Sequence, residues 1–193
     1  IERLRAAVGQ RYYFEKQRVT LENPARDGNS SDILAAVSGQ LSRKWSVDVA
    51  LQYSPDANRS EKLSVGTRYN PAPGKVISLA YRSRVGTPSL PEPINQIDLS
   101  GQWPFGARWC GFGRLNYSLR DRTIVEGLAG VEYNANCWAL RLVAHRLATA
   151  QQQVSTSLFF QLELTGLSRL GNNPLELLKQ SIPGYRTSEE LIP

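Results

Sequence analysis

The most constraining feature of this sequence is the alternation of apolar and polar residues from Val154 to Thr165, VSTSLFFQLELT. One parity is mostly apolar and the other mostly polar, with Phe159 as the exception on the polar parity. Because successive side chains of a strand point to opposite faces, the pattern predicts a β-strand with one apolar and one wet face. A soluble sandwich and a membrane barrel can both contain such a strand, so the other strands must decide between them.

Segments with the same period of two recur along the chain, separated by turn residues. The ten predicted strands are 4–14, 32–42, 45–54, 60–70, 75–84, 95–103, 109–119, 123–133, 137–147 and 154–166. An even number of strands joined as hairpins is typical of an antiparallel up-and-down transmembrane β-barrel. When the connections are numbered in chain order, odd ones such as 15–31 are generally longer than even ones such as 43–44. Outer-membrane barrels have short periplasmic turns and longer external loops, so we expect the even connections on the periplasmic side.

Aromatic residues of the apolar parity lie at both ends of the predicted strands. Beside the even connections are Trp45, Tyr69, Trp103, Trp109, Tyr133 and Trp138, and beside the odd ones are Tyr12, Tyr53, Tyr81 and Tyr117. Between these two girdles the same parity, here called the apolar face, holds Val, Leu and Ile. The opposite parity, here called the charged face, holds Arg, Asp, Glu, Gln and Asn. This arrangement predicts a wall whose apolar face meets lipid and whose charged face lines the inside. A soluble sandwich, with Trp and Tyr scattered along a buried face, is the alternative.

Composition and charge narrow the function classes. The chain has 193 residues, contains no Met and begins with Ile1, so we expect a processed chain or a piece of a longer one. The formal net charge is +6, but the 23 basic residues are spread among 17 acidic ones. Nucleic-acid binding is therefore not expected. No apolar run approaches the ~20 residues of a membrane-spanning helix. No phosphate-binding loop or metal-ligand spacing is present, so no cofactor and no metal are expected.

Catalytic chemistry has one weak candidate. His145, the single histidine, lies on the charged face, and Ser157 lies on the neighbouring predicted strand. A serine nucleophile beside a histidine base would suit an outer-membrane hydrolase. A lone polar residue in a wet lumen is the more common situation, so the sequence predicts no catalytic residue and no enzyme.

Three stretches in the last third of the chain are specific enough to suggest a family. They are GVEYNANCWALRLVAHR (130–146), TSLFFQLELTGL (156–167) and NPLELLKQSIPGY (173–185). They resemble the C-terminal end of the LptD family, the lipopolysaccharide-assembly proteins of the Gram-negative cell outer membrane. The resemblance is specific over about 123–186 and diffuse in the earlier strands. It implies an outer-membrane translocon that inserts lipopolysaccharide into the outer leaflet. A general porin or uptake channel is the alternative, although a porin would end at a terminal aromatic residue, whereas this chain continues for 27 residues beyond Gly166.

The resemblance also implies an organisation and a set of partners. Residues 1–166 would be the last ten strands of a larger barrel, and 167–193 a periplasmic tail. The implied partners are lipopolysaccharide, the plug lipoprotein LptE, outer membrane lipids, and the periplasmic bridge of the Lpt machinery, which the missing N-terminal domain would contact. Within the tail, Asn173 and Pro174 predict the start of a short helix that Pro183 and Gly184 end. A terminus merely packed on the surface is the alternative.

In the family, lipopolysaccharide leaves through the junction between the first and last barrel strands. The resemblance therefore implies that the strand from Val154 to Thr165 forms one side of a lateral gate. Its gate residues would be Leu158, Phe160, Gln161, Leu162 and Glu163. The alternative is that this strand only closes the wall.

The two cysteines differ in what they imply. Family members often have two adjacent cysteines before the penultimate strand, each bridged to a cysteine far upstream, whereas here Asn136 precedes Cys137. The resemblance thus implies one bridge at most, from Cys137 to a partner outside this chain. Cys110 lies two predicted strands away, and two strand spacings of ~4.8 Å exceed the ~7 Å Cα limit of a disulfide, so no Cys110–Cys137 bond is expected. Two free thiols are the alternative, and the role of Cys110 is open.

Overall fold

The part of the chain that the structure describes forms an antiparallel sheet of eleven strands and one short helix. The computed structural model describes residues 3–12, 14, 30–86, 91–135, 137–148, 154–164, 166–172 and 174–187. The strands are β1 (Leu4–Gly9), β2 (Ile33–Gln40), β3 (Trp45–Ser54), β4 (Arg59–Ala72), β5 (Lys75–Arg84), β6 (Ile94–Pro104), β7 (Trp109–Ser118), β8 (Thr123–Asn134), β9 (Trp138–Ala148), β10 (Val154–Leu164) and β11 (Ser168–Gly171), and the helix is α1 (Leu175–Ser181). The hydrogen-bonded order follows the sequence from β1 to β11. The all-β antiparallel prediction is confirmed, and because the order has two ends these strands do not close on themselves.

Helical membrane spans were not expected from the sequence. In the described ranges no helix, α1 included, is long and apolar enough to cross a membrane.

The ten predicted strands all form, with two differences at the ends of the set. The first strand ends at Gly9 instead of residue 14. Beyond it, Tyr12 and Ser30 form an isolated antiparallel β-bridge. At the other end, β11 lies in the segment predicted to be a non-strand tail, and it pairs with β10 from Gln161 to Leu164. The turn between them uses Gly166 at φ +77°, where a side chain would be strained. Residues 15–29, 87–90 and 149–153 of the predicted connections, with 188–193 of the tail, lie outside the described residues.

Two compact units divide the chain. The first unit comprises Ile1–Thr67 and Ala80–Ile97, and the second comprises Arg68–Leu79 and Asp98–Pro193. All buried large hydrophobic side chains of the described residues belong to the second unit. The two units therefore have different interiors.

The core of the second unit lies on the charged face, where the C-terminal segment covers it. Its buried members are Val76, Phe112, Leu128 and Val143 from the strands, with Leu178, Ile182 and Tyr185 from the C-terminal segment. These strand residues are apolar exceptions on an otherwise polar parity, and Phe159, the exception noted in β10, packs against the same cluster. The predicted short helix is confirmed, and since Leu178 and Ile182 are both 0% exposed it is part of the core.

Phe112 and Gly130 fix the packing at the centre of this core. They are directly opposite each other in the β7–β8 register, and the Phe112 ring lies where a Gly130 side chain would be. A Cβ built on Gly130 would also be only 2.6 Å from the Leu142 carbonyl oxygen. The ring of Tyr185 meets the Phe112 ring edge-on, with centroids 5.8 Å apart. A glycine is therefore required for Phe112 to lie flat on the sheet and contact the C-terminal segment.

The predicted difference between the two faces is observed in the second unit. Buried polar residues lie on its charged face, among them Asp98, Ser100, Gln102, Asn116, Glu132, Arg141, Gln161 and Glu163. Exposed large hydrophobic residues lie on its apolar face, among them Ile77, Leu79, Leu99, Leu115, Leu142 and Phe160. This arrangement, with charges inside and Leu outside, is the reverse of a soluble sandwich.

Candidate functional site

A row of aromatic rings lies on the apolar face of the second unit, beside the even connections. Centroid distances are 6.3 Å from Phe105 to Trp109, 4.8 Å from Trp109 to Tyr133, and 5.3 Å from Tyr133 to Trp138. Three of these four were predicted girdle residues, and Phe105 was missed because it lies in a connection. Rings with an apolar body and a polar edge suit the boundary between hydrocarbon and water.

Two cations contact aromatic side chains beside the even connections. The Nζ of Lys75 is 5.4 Å from the centre of the Trp103 ring, and Arg108 donates a hydrogen bond of 3.3 Å to the Tyr133 hydroxyl. Such neighbours favour contact with anionic headgroups at the edge of an apolar band.

The other predicted girdle residues differ in the exposure of their side chains. Trp45 is exposed at the start of β3, and Tyr53, Tyr69, Tyr81 and Tyr117 are half-buried. Tyr53 donates a hydrogen bond to the Asn58 side chain in the following turn. At the odd end of β1, Tyr12 is exposed and its ring meets that of Phe14 edge-on at 5.3 Å.

Arg141 is the centre of a buried ion-pair network on the charged face of the second unit. The Nε of Arg141 donates to Glu132 at 2.7 Å, and its Nη1 donates to Glu163 at 2.6 Å and to Gln161 at 3.1 Å. The β8–β9 and β9–β10 registers place Glu132 and Gln161 directly opposite Arg141 on either side. Arg141 is 1% exposed, so the two carboxylates supply the charge compensation that burial requires.

The C-terminal segment binds to the same end of the charged face. The Tyr185 hydroxyl donates to Glu132 at 3.4 Å, and Arg186 exchanges two backbone hydrogen bonds with the Gln102 side chain, at 2.7 and 3.0 Å. Burial, and then the neighbouring Glu132 carboxylate, raise the pKa of the Tyr185 phenol well above its ordinary value. The phenol therefore stays neutral while the segment is docked.

A second charged group lies further along the same face. Arg114 holds Asp98 with two nitrogens, at 3.0 and 2.6 Å, and its Nη1 is 3.2 Å from Glu126. The Nε2 of His145 lies 3.0 Å from the other Glu126 oxygen. His145 thus completes an alternating series of acids and bases.

A hydrolase would instead need His145 beside a nucleophile. The strand register does place Ser157 opposite His145. The imidazole, however, is hydrogen-bonded to Glu126, which already binds Arg114. Within the described ranges no hydrogen bond joins His145 to Ser157, so the geometry of a catalytic dyad is not formed.

The five predicted gate residues divide between the two faces of β10. Leu158 and Phe160 are exposed on the apolar face, and Leu162 is half-buried there. Gln161 and Glu163 are buried on the charged face, where they bind Arg141. The free edge of β10 is shorter than predicted, since β11 pairs with Gln161–Leu164 and Asn172 donates to the Phe160 carbonyl oxygen. Sequence reasoning missed this pairing, because four residues are too few to show a period.

Both cysteines are free thiols within this chain. Cys137 is exposed in the turn before β9, and its sulfur lies 3.4 Å from the Ala135 carbonyl oxygen. Cys110 is half-buried in β7, with its sulfur 3.5 Å from the Gln102 amide nitrogen. Cys137 is thus accessible to a partner from outside the chain, whereas Cys110 lies under the C-terminal segment that Gln102 holds.

Comparison with known proteins gives a consistent result. The family model described as LptD, LPS transport system D, matches residues 1–109, more than half of the chain. The LPS-assembly protein LptD of Thiobacillus denitrificans is 50% identical over 194 residues, which cover 100% of this chain and 26% of that protein. The protein of the same name from Nitrosomonas eutropha is 47% identical over 95% of this chain and 25% of its own length. That of Azoarcus is 42% identical over 95% of this chain and 23% of its own length. The chain therefore spans about a quarter of the length of these relatives.

Proposed function

Because this chain belongs to the LptD family, we propose that it forms part of the wall of an outer-membrane translocon that inserts lipopolysaccharide into the outer leaflet. The observation that supports a membrane wall most directly is the inversion of its faces. On the strands of the second unit, Leu99 and Leu142 are exposed, whereas Glu132, Arg141 and Glu163 are buried. A lipid-facing apolar band with an aromatic girdle and a charged interior is the pattern of an outer-membrane barrel.

The chain would lie in the Gram-negative cell outer membrane, with the even connections and the C-terminal segment of 167–193 on the periplasmic side. Its partners would be lipopolysaccharide, outer membrane lipids, the plug lipoprotein LptE, and the periplasmic bridge of the Lpt machinery. It would act as a transporter, without covalent chemistry.

We further propose that β10 forms one side of the lateral gate. An amphiphile that leaves a barrel sideways needs a junction where a row of backbone hydrogen bonds can open. β10 presents Leu158 and Phe160 towards lipid, and its edge from Val154 to Phe159 is not paired with β11. The opening would therefore begin in this half of the strand, at the end next to the odd connections. Gln161, Leu162 and Glu163 would join the gate only where β11 separates from β10.

A disulfide lock tests the gate in the full-length protein. One cysteine replaces Thr156 in β10, and another is placed opposite it on the first strand of the complete barrel. We expect oxidation to stop lipopolysaccharide from reaching the cell surface and a reductant to restore delivery. The matched control locks β8 to β9 with Ala129→Cys and Ala144→Cys, which are opposite each other in the register, lie outside the proposed gate and should have no effect. Normal delivery with the first lock closed would show that the exit lies elsewhere.

We also propose that Cys137 is oxidised in the complete protein, with a cysteine upstream of this chain. Its exposure in a turn on the proposed periplasmic side supports this bridge, since disulfides persist in that compartment. Full-length protein and its Cys137→Ser variant should then migrate differently on a non-reducing gel. Identical migration would argue against the bridge.

A further inference from the structure

A cavity of about 640 Å³ opens on the charged face of the first unit. This volume lies within the range of ~300–1,000 Å³ that is typical of ligand sites. Its lining includes small and apolar residues of β1 to β3, among them Ala7, Leu34, Ala36 and Ala50. The opposite part of the lining comes from β4 and β5 and contains Lys62, Arg82 and Arg84.

Among the described residues, no carboxylate forms an ion pair with the three cations of this cavity. The lining contains no carboxylate, and within the described residues none of the three forms an ion pair. The nearby acids are engaged elsewhere: Glu61 pairs with Arg59 at 3.3 Å, and Asp32 accepts a 2.5 Å hydrogen bond from Gln52. Three like charges in one concave site repel one another unless an anion joins them.

Arg84 adds a second and independent sign of a missing ligand. Its terminal nitrogen donates a long hydrogen bond of 3.4 Å to the Glu92 carbonyl oxygen. Its Nε is buried and has no hydrogen-bond partner in the described part of the chain. A buried guanidinium nitrogen without an acceptor is unfavourable, and a phosphate oxygen is an acceptor that arginine binds well.

We propose that this cavity binds the phosphorylated saccharide of lipopolysaccharide while the lipopolysaccharide is being transported. Lys62, Arg82 and Arg84 would hold the phosphate, and the alanine-lined part would contact the apolar face of a sugar ring. The site lies towards the odd connections, since Gln52 precedes the turn after β3 and Arg84 is the last residue of β5. This inference rests on the proposed function, which supplies the saccharide.

The test compares full-length protein with a variant in which Arg82→Gln and Arg84→Gln are combined. The probes are purified lipopolysaccharide, the same lipopolysaccharide after enzymatic dephosphorylation, and phosphatidylglycerol vesicles. We expect the double variant to bind the phosphorylated form about ten-fold more weakly, because two charge-assisted contacts are lost at a site that water reaches. The dephosphorylated form should bind both proteins alike.

The matched control removes the same charge from another part of the first unit. Arg3→Gln and Arg5→Gln together remove two cations that line a separate hollow, which also contains Asp48. This control should bind phosphorylated lipopolysaccharide as the parent protein does. If the double variant does not fold, Arg82→Gln alone serves the purpose, since Arg82 is exposed.

Three results would overturn the site. They are unchanged binding by the cavity variant, equal weakening by the Arg3 and Arg5 control, and preferential capture of phosphatidylglycerol. Each of them leaves the proposed function intact when cells that produce the same protein deliver lipopolysaccharide to their surface normally. A parent protein that binds neither form of lipopolysaccharide would instead count against the proposed function and this inference together.

Discussion

The charged faces of the two units use the same residue types in different ways. In the second unit, Arg114 and Arg141 are each held by two carboxylates, and the Arg141 network is buried beneath the C-terminal segment. In the first unit, Lys62, Arg82 and Arg84 face an open cavity that has no carboxylate in its lining. A paired and buried cation stabilises one arrangement of strands, whereas an unpaired and hydrated cation is available to a ligand. The comparison therefore gives the paired cations of the second unit a structural role and leaves the cations of the first unit available to the proposed anion.

The largest effect that tests this comparison is the removal of one arginine from each unit. Arg141→Leu leaves Glu132 and Glu163 without their cation in a buried site, and we expect it to lower the free energy of unfolding by about 3–5 kcal/mol. Arg82→Leu, at an exposed position of the first unit, should change it by less than about 0.5 kcal/mol. Urea titration of the full-length protein in phospholipid vesicles measures both. Equal losses would show that the two faces are not different in kind.

A smaller effect is expected where the C-terminal segment meets the sheet. Gly130→Val inserts atoms into the space of the Phe112 ring and should destabilise the second unit by about 1–3 kcal/mol through overpacking. Gly127→Val is the matched control on the same strand. A Cβ there meets nothing nearer than Ile124 at 3.9 Å, and a β-branched residue suits a strand. The same titration applies, and a loss as large at Gly127 would mean that the Phe112 contact is not the cause.

The difference between the units was only partly predictable from the sequence. A period of two fixed the ten strands and assigned each residue to a face, because the alternation of side chains is a local property of the backbone. It also marked Phe159 as an exception on the charged face. Phe112, Leu128 and Val143 are exceptions of the same kind, and together they indicate a covered patch. The period of two does not show which segment covers this patch. The covering segment is set by the contacts of Leu178, Ile182 and Tyr185, which are distant in sequence.

The ion pairs required the strand register, which the sequence does not give directly. Arg141 lies opposite both Glu132 and Gln161 only because the hairpins set those pairings. An irregularity between Asn116 and Tyr117 shifts the β7–β8 register, so that residues counted from a turn would be matched wrongly. For Lys62, Arg82 and Arg84 of the first unit, the period of two indicates only that they share the charged face. Their shared cavity appears only when β1 to β5 are brought together.

The smallest effect concerns the phenol that joins the C-terminal segment to the Arg141 network. Tyr185→Phe removes only a long hydrogen bond of 3.4 Å to Glu132, so it should cost less than about 1 kcal/mol at neutral pH.

The pH dependence of the unfolding free energy is more informative than this small loss. Because burial raises the pKa of Tyr185, the stabilisation from this group is complete below the ordinary tyrosine pKa of ~10 and is lost as the pH rises further. The parent protein should therefore lose more unfolding free energy than the Phe variant between neutral pH and about pH 11. Cys110 and the other titrating groups are common to both proteins, so the difference isolates Tyr185. Parallel pH profiles would mean that the phenol is not buried against Glu132, and the burial of this end of the charged face would be wrong.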